Sequence, residues 1–354
     1  MIEADVAVVG AGIAGVSVAA ELSGHRSVVV LEQEAEPAYH TTGRSAAMFL
    51  ESYGGPDVRA LTAAGRAFLD AVGTLLTPRP LLWVAGADGL DRLAALAREQ
   101  PALVPLSPDE AVALCPALRS SWCAGALLEP RALEIDVLGL HQHYLGAARR
   151  DGVRVLLGAR VLAGRHTGGR WVLDTAAGPV AAAAVVNAAG AWADPVAAAL
   201  GAPPVGLRPL RRTAAVARAD GVDRTWPLVS DVAETFYFRP EGAGVLLSPA
   251  DETPSEPCDA RPDELDVALA IERVNAATTL GLRSVVTAWA GLRTFAPDRN
   301  PVAGPDPAAP GLWWLAGQGG YGIQTAPELA RLVAASVAGG DVPAAVSVAR
   351  FRRA

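Results

Sequence analysis

Val6-Ala7-Val8-Val9-Gly10-Ala11-Gly12-Ile13-Ala14-Gly15 opens the chain, and Val28-Val29-Val30-Leu31-Glu32 answers it. An apolar run enters three glycines at G-x-G-x-x-G spacing. A helical segment continues to about Leu22, and a second apolar run ends in a carboxylate. Each part has a physical task. Gly10 permits a tight turn, Gly12 lets the backbone approach a pyrophosphate, and Gly15 lets the helix pack close on the strand. The helix start offers unpaired N–H groups and a partial positive charge to phosphates. Glu32 is placed to accept ribose hydroxyls. A glycine-rich turn by itself is often only a turn. Here strand, turn, helix, second strand and carboxylate agree, and together they predict an α/β unit that binds a nucleotide.

The chain has 354 residues, room for two domains or one large interleaved unit. At 51% hydrophobic and 19% charged residues it can bury a large core, which argues against disorder. A net charge of −7 with no basic run argues against nucleic acid or an anionic membrane surface as partner. All 30 basic residues are arginine, as the Ala- and Gly-rich composition of a GC-rich genome explains. The chemical consequence stands regardless: no lysine can form a Schiff base or face a cofactor. Cys115, Cys123 and Cys258 are odd in number, fit no zinc spacing and point to a reducing compartment. His25, His40, His141, His143 and His166 make no spaced pair with them, and His141 and His143, two apart on a helix, point apart. These residues read as structural or surface groups, and no metal site is expected. The apolar N-terminus follows Glu3 and Asp5 and is broken by glycines, unlike a signal peptide or membrane span. A cytoplasmic protein without a membrane span is expected.

Past Glu32, the stretch Tyr39-His40-Thr41-Thr42-Gly43-Arg44-Ser45-Ala46-Ala47-Met48 has no regular period and little charge, as in a loop lying against something bound. Helices are predicted at 57–72, 90–100 and 109–114, and a strand at 81–84. Asp136 can cap a helix that Gly152 ends, with a strand over 153–157. A hairpin is predicted over 160–175, turning at Thr167-Gly168-Gly169, and a buried strand at 182–189. Residues 205–290 change character. Strands at 213–218, 235–239 and 244–248 alternate with proline-rich turns, and a helix from Asp263 puts Val267, Ile271, Val274 and Thr278 on one face. That block reads as an antiparallel sheet with a helix across it. The chain returns through 285–293 to a strand at 312–316 and a last helix from about Thr325 to Val337.

Before that helix stands Gly317-Gln318-Gly319-Gly320-Tyr321-Gly322. Glycines admit a close backbone approach, and a helix start favours negative charge, as a reduced flavin carries at its N1/C2 edge. The residues alone leave a flavin site and a packing turn both open.

Taken together, the first fingerprint, Thr41-Thr42-Gly43-Arg44-Ser45-Ala46-Ala47, Val186-Asn187-Ala188-Ala189-Gly190-Ala191-Trp192, Trp289-Ala290-Gly291-Leu292-Arg293 and Gln318-Gly319-Gly320-Tyr321-Gly322-Ile323-Gln324-Thr325 resemble the FAD-dependent D-amino-acid oxidase family over nearly the whole chain. Within it the likeness runs to the bacterial D-arginine dehydrogenases. The resemblance implies an α/β fold. A Rossmann-like FAD domain (1–60, 131–205 and 290–354) would be interleaved with a smaller antiparallel-sheet substrate domain (61–130 and 206–289). It also implies oxidation of an amine by hydride transfer from Cα to flavin N5, giving an imine that water hydrolyses to a 2-oxo acid.

By the same resemblance, Gly10, Gly12, Ala14, Gly15, Glu32 and Gln33 hold the ADP half of FAD, and Val161 meets adenine through its backbone. Thr42, Gly43, Arg44, Ser45, Ala46 and Ala47 line the flavin, with Ala189, Gly190 and Trp192 beyond them. Gly319, Gly320, Tyr321, Gly322, Ile323 and Gln324 form the second glycine junction, where Gly320 and Gln324 adjoin both isoalloxazine and substrate. Arg212 and Arg293 clamp the substrate carboxylate, Arg293 also adjoining FAD. Tyr237 joins the clamp and Tyr53 covers the site from a mobile loop. A guanidinium can hold a carboxylate through two parallel hydrogen bonds, which makes the clamp sensible on its own. The competing readings are a surface arginine at 212, where Arg208 and Arg211 crowd the same strand, an ion pair at 293 and core packing at 237.

Two departures bear on the substrate. D-arginine dehydrogenases carry a glutamate for the substrate guanidinium where this chain has Leu81, and a histidine where it has Met48. A cationic side chain buried without a partner would cost roughly 3–5 kcal/mol. With Trp83 nearby, these residues predict an apolar pocket for a D-amino acid with a hydrophobic side chain. No general base is evident, so activity should rise with pH to a plateau. The missing lysine favours a dehydrogenase, with the acceptor open between O2 and a quinone or dye. No cysteine lies in the second glycine junction, so FAD is expected to be non-covalent. Rival readings are a glycine or sarcosine-type secondary-amine oxidase, a flavin monooxygenase and a flavin-binding scaffold or sensor.

Overall fold

Strand Ile2–Val9 is the axis of the first of two main sheets. It pairs in parallel with Val28–Leu31 on one side and Val180–Asn187 on the other. Arg154–Leu156 extends the sheet beyond Val28–Leu31. Strand Val180–Asn187 divides its outer edge between antiparallel Arg170–Thr175 and parallel Leu312–Ala316. Val161–Thr167 and Val302–Pro305 complete eight strands. The computed structural model describes residues 1–46 and 48–352. Ala47, expected beside the flavin, lies outside the described residues.

The central strands are buried on both faces, which is why they read as unbroken Val/Ala runs. Val6, Val8, Val28 and Val30 pack into one core with helices Ile13–Ser23, Val137–Arg150 and Gly322–Val337. Helix Pro56–Val72 adds Leu61 and Leu69 to that core. Ala7, Val29, Leu31 and Val185 face the opposite core, closed by the hairpin strands and helix Ala193–Ala199. Asp136 caps its helix through Gly139 N–H at 2.8 Å, as expected.

The second sheet has nine strands. Its spine is Arg208–Arg218, paired antiparallel with Val285–Phe295 along nearly its whole length and with Gly244–Ser248. Tyr237–Glu241, Leu228–Asp231, Leu81–Ala85 and Gly125–Glu129 follow outward. One pairing, between Leu81–Ala85 and Leu228–Asp231, is parallel, so the sheet is mixed. Asp263 caps helix Glu264–Ala277 through Leu265 N–H at 2.9 Å. Val274 sits in the core beneath it with Phe238 and Leu247. The chain re-enters the first sheet where Phe295 bridges to Gln318.

The strands Gly125–Glu129, Leu228–Asp231 and Val302–Pro305 were not expected from sequence. Each is short and nearly continuously buried, so none shows the alternation that marks a half-exposed strand. The last helix begins at Gly322, three residues before the expected Thr325, and carries Pro327 in its second turn. Among the described residues no helix is long and apolar enough to cross a membrane, and no His/Cys/Asp/Glu cluster could hold a metal ion.

Candidate active site

Three cavities run end to end from the first glycine turn into the second sheet. The first and second share Gly12, Thr41, Thr42 and Gly190 in their walls. The second and third share Ser45, Ala46, Arg212, Tyr237, Arg293, Gly320 and Ile323.

The first cavity opens at the C-terminal ends of the parallel strands. Gly10 turns with φ +103°, and a Cβ there would sit 2.6 Å from Ala188 O. A Cβ on Gly15 would sit 1.8 Å from Gly10 O, so the helix crosses the turn only as glycine. Glu32 is buried and lines the cavity with Gln33, and its Oε2 accepts Ala11 N–H at 2.6 Å. Val161, Ala189, Gly190 and Trp192 complete the wall. Trp192 packs on His40 at 4.5 Å between ring centroids, and His40 Nε2 lies 2.9 Å from Glu34 Oε1. Beneath the turn, buried His141 holds Ala11 O at 2.9 Å through Nε2. Burial pushes its pKa down, so it serves there as a neutral donor.

The second cavity lies between the two helix starts, Ile13 and Gly322. Ala14, Ser45, Ala46, Gly319, Gly320, Gly322 and Ile323 line it. Thr42 lines it too, with its hydroxyl accepting Ile13 N–H at 3.0 Å, so it caps the first helix. Arg44 presents its stem, while its guanidinium ties Ala260 O at 2.8 Å, Ala290 O at 2.9 Å and Asp259 Oδ1 at 2.5 Å. Gly43 and Gly15 lie outside the walls of these three cavities; a Cβ on each would meet Ala38 O and Gly10 O respectively. Tyr321 faces away, edge-on to Tyr53 at 5.0 Å, and burial pushes its phenol up to about 12.

The third cavity is walled by the second sheet. Leu81 pairs with Leu228 and Trp83 with Ser230, and Ser230 pairs with Tyr237, so these side chains share one face. Met48, Leu50 and Ile323 close the apolar side. Gln324 lines the cavity, but its carboxamide is spent on Leu50 N–H at 3.1 Å, Leu50 O at 3.3 Å and Thr62 Oγ1 at 2.9 Å.

Arg212 and Arg293 enter from paired strands. Arg212 is buried, its Nε donating to Asp251 O at 2.7 Å and its Nη2 lying 3.5 Å from Glu252 Oε1. Burial first, then the Arg293 charge, lower its pKa. Glu252 is itself shared with Arg299 at 2.8 Å. Arg293 Nη1 donates to Tyr53 Oη at 3.1 Å. Burial works to lower the Arg293 pKa, and the two tyrosines with Glu252 outweigh it, so the group stays a firm cation. No carboxylate lies within ion-pair distance of Arg293 among the described residues. Gly320 makes the room: a Cβ there would sit 2.9 Å from Arg293 Nη1 and 3.3 Å from Tyr53 Oη.

Sequence reasoning missed Ser230, Glu234 and Arg239 in the third cavity and Thr294 in the second. For Arg239 a signal existed, since it lies two residues from Tyr237 on one strand and so shares its face. Arg239 Nη1 is held by Glu134 at 2.9 Å and Glu241 at 2.7 Å.

The first two cavities fit FAD. Glycines form the cradle at Gly10, Gly12 and Gly319, two helix starts face it, and Glu32 stands at the ribose end. Buried His40 Nδ1 and Thr294 Oγ1 have no hydrogen-bond partner among the described residues, and each residue lines one of these cavities.

Comparison with known proteins agrees with this geometry. The family model described as FAD dependent oxidoreductase matches residues 5–336. Glycine oxidase of Geobacillus kaustophilus is 26% identical over 352 residues, 93% of this chain and 92% of that protein. FAD-dependent oxidoreductase domain-containing protein 1 of Bos taurus is 35% identical over 182 residues, 45% of this chain and 36% of its own length. Dimethylglycine dehydrogenase of Rattus norvegicus is 26% identical over 260 residues, 67% of this chain and 30% of its own. The chain thus spans about a third of the length of these last two. Among solved structures, the G. kaustophilus glycine oxidase superposes with a TM-score of 0.85 at 24% identity, covering 99% of this chain and 98% of that one. L-proline dehydrogenase from P. horikoshii gives 0.86 at 20% identity, again covering 99% and 98%. Both likenesses are of fold. With its glycine cradle, its interleaved sheets and a family match across nearly its full length, the chain belongs to the FAD dependent oxidoreductase family.

Proposed function

We propose that this enzyme oxidises the Cα–N bond of an α-amino acid gripped by its carboxylate, and that the substrate is a D-amino acid with an apolar side chain. The observation that carries the reading is Arg293, a guanidinium inside the cavity whose hydrogen-bond partner is a phenol. Such a charge is costly without a counter-charge, and a carboxylate received on parallel N–H···O bonds supplies one. Bound FAD supplies the acceptor for the hydride that leaves Cα. Arg212, Tyr237, Arg293 and Gly320 line both the cavity fitted to FAD and the substrate cavity, so a carboxylate held there stands at their junction. Leu50, Leu81, Trp83 and Leu228 offer the side chain an apolar wall. Arg239 beside them already has its own carboxylates.

A second reading, oxidation of glycine or a secondary amine, draws support from the likeness to glycine oxidase and dimethylglycine dehydrogenase. Glycine, however, leaves the apolar wall unused.

Anaerobic mixing of the yellow protein with D- and L-leucine, D- and L-phenylalanine, D-arginine, glycine, sarcosine and proline tests both, read as loss of flavin colour. D-leucine or D-phenylalanine is expected to bleach it fastest. Faster bleaching by D-arginine or the L-isomers overturns the assignment of substrate, and faster bleaching by glycine or sarcosine favours the second reading.

A further inference from the structure

We propose that Glu129 is a positioning residue that sets Tyr53 on Arg293 by latching Ser52. The inference rests on the reading of Arg293 as the carboxylate clamp.

Tyr53 sits at the apex of a short loop whose neighbours are each tied to a different element. Leu50 is held on both its N–H and its carbonyl by Gln324, from the last helix. Gly54 O accepts Arg59 Nη1 at 3.1 Å. Ser52 O accepts Gln100 Nε2 at 3.2 Å. The remaining groups of Ser52 go to Glu129: its N–H donates to Oε1 at 3.2 Å and its hydroxyl donates to Oε2. Tyr53, one residue on, then reaches Arg293.

Glu129 is an expensive way to fill this position. It ends strand Gly125–Glu129 opposite Leu81, in the sheet that walls the substrate cavity, and it is buried. Burial pushes its pKa up, and the nearby Glu51 carboxylate adds to that. Glu51 has Arg66 at 3.9 Å and Arg131 at 3.7 Å, whereas Glu129 has no ion-pair partner among the described residues. A buried carboxylate without a cation is stabilised by the hydrogen bonds it receives, and here both oxygens receive one from Ser52, with the Glu51 backbone N–H adding to them. Leucine would pack at this place without that cost but would leave the Ser52 N–H and hydroxyl without these acceptors, so that only the Gln100 contact to Ser52 O still holds the residue before Tyr53.

The test uses the FAD-loaded enzyme and the variants Glu129→Leu, Ser52→Ala, Tyr53→Phe and Glu129→Leu/Tyr53→Phe. Amide hydrogen exchange over residues 51–54 should quicken in Glu129→Leu and Ser52→Ala, with the rest of the chain unchanged. With the best amino-acid substrate, KM should rise about tenfold in both while kcat changes less, and the double variant should be no worse than Tyr53→Phe alone. Unchanged exchange overturns the proposal. So does faster exchange without a KM change, or an effect of Glu129→Leu that multiplies with that of Tyr53→Phe. Failure of the substrate reading shows separately, as a flavin that no amino acid reduces; the exchange rates still decide whether Glu129 holds the loop.

Discussion

Arg212 and Arg293 stand diagonally on one face of two paired antiparallel strands, with Gly291 directly opposite Arg212 and Leu210 directly opposite Arg293. Gly291 lines the second cavity with both arginines, and a Cβ there would meet Arg44 Cβ at 3.6 Å and Thr41 Cα at 3.7 Å. Arg212 is the more firmly anchored, through Asp251 O. Replacing it with methionine should lower kcat/KM for an amino acid by about 2–5 kcal/mol, the usual loss on truncating one partner of a buried charged hydrogen bond. Flavin content should be unchanged. Steady-state kinetics alongside the absorbance ratio of flavin to protein checks both.

Gly320→Ala should misplace the clamp without emptying the flavin site. The new Cβ would sit 2.9 Å from Arg293 Nη1. The guanidinium must shift by tenths of an ångström, and kcat/KM should fall roughly tenfold. The loss should appear with carboxylate-bearing substrates, and bound flavin should stay at the wild-type level.

Gly15→Ala should give protein without flavin, or none that folds, because its Cβ would meet Gly10 O at 1.8 Å. Gly24→Ala is the control: it follows the same helix, with φ −66° and no atom within 4 Å of the added Cβ. That change should leave flavin content intact and alter stability by no more than about 0.5 kcal/mol.

Asp306 and Arg352 form a pair 2.8 Å apart, with side chains 0% and 8% exposed. Burial works to raise the Asp306 carboxyl, and Arg352, Ala308 N–H and Trp314 outweigh it, so its pKa falls below the ordinary 3.8. An acid with a depressed folded pKa contributes stability above its unfolded pKa and loses it as pH falls through the folded one. Asp306→Asn should therefore cost about 3–5 kcal/mol near pH 7. Urea unfolding should show the gap to wild type narrowing below pH 3.8.

The parts of the site legible in sequence are those whose chemistry is local. Gly10 to Gly15 declare themselves because turn, approach and packing each demand glycine within one short stretch. Arg293 stood out within its own motif. Glu129 and Glu252 were silent, because each acts on a side chain brought near only by strand register or by a loop from elsewhere in the chain. Gln324 shows the limit from the other side: it lines the third cavity, but its commitment to Leu50 and Thr62 depends on a loop and a helix more than 250 residues earlier in sequence. Thr42 and Arg44 likewise line the second cavity while spending their polar groups on a helix start and on Ala260, Ala290 and Asp259.

The central claim is that Arg293 and Arg212 recognise the carboxylate of the molecule being oxidised. The measurement that tests it most directly compares D-leucine with its decarboxylated amine, 3-methylbutylamine, as anaerobic reductants of the flavin in wild type and in Arg293→Met. The account predicts that wild type prefers D-leucine by roughly a hundredfold, as loss of a bidentate charged contact implies, and that the preference collapses in the variant. Equal rates for the two compounds in wild type, or an undiminished preference in Arg293→Met, would contradict it.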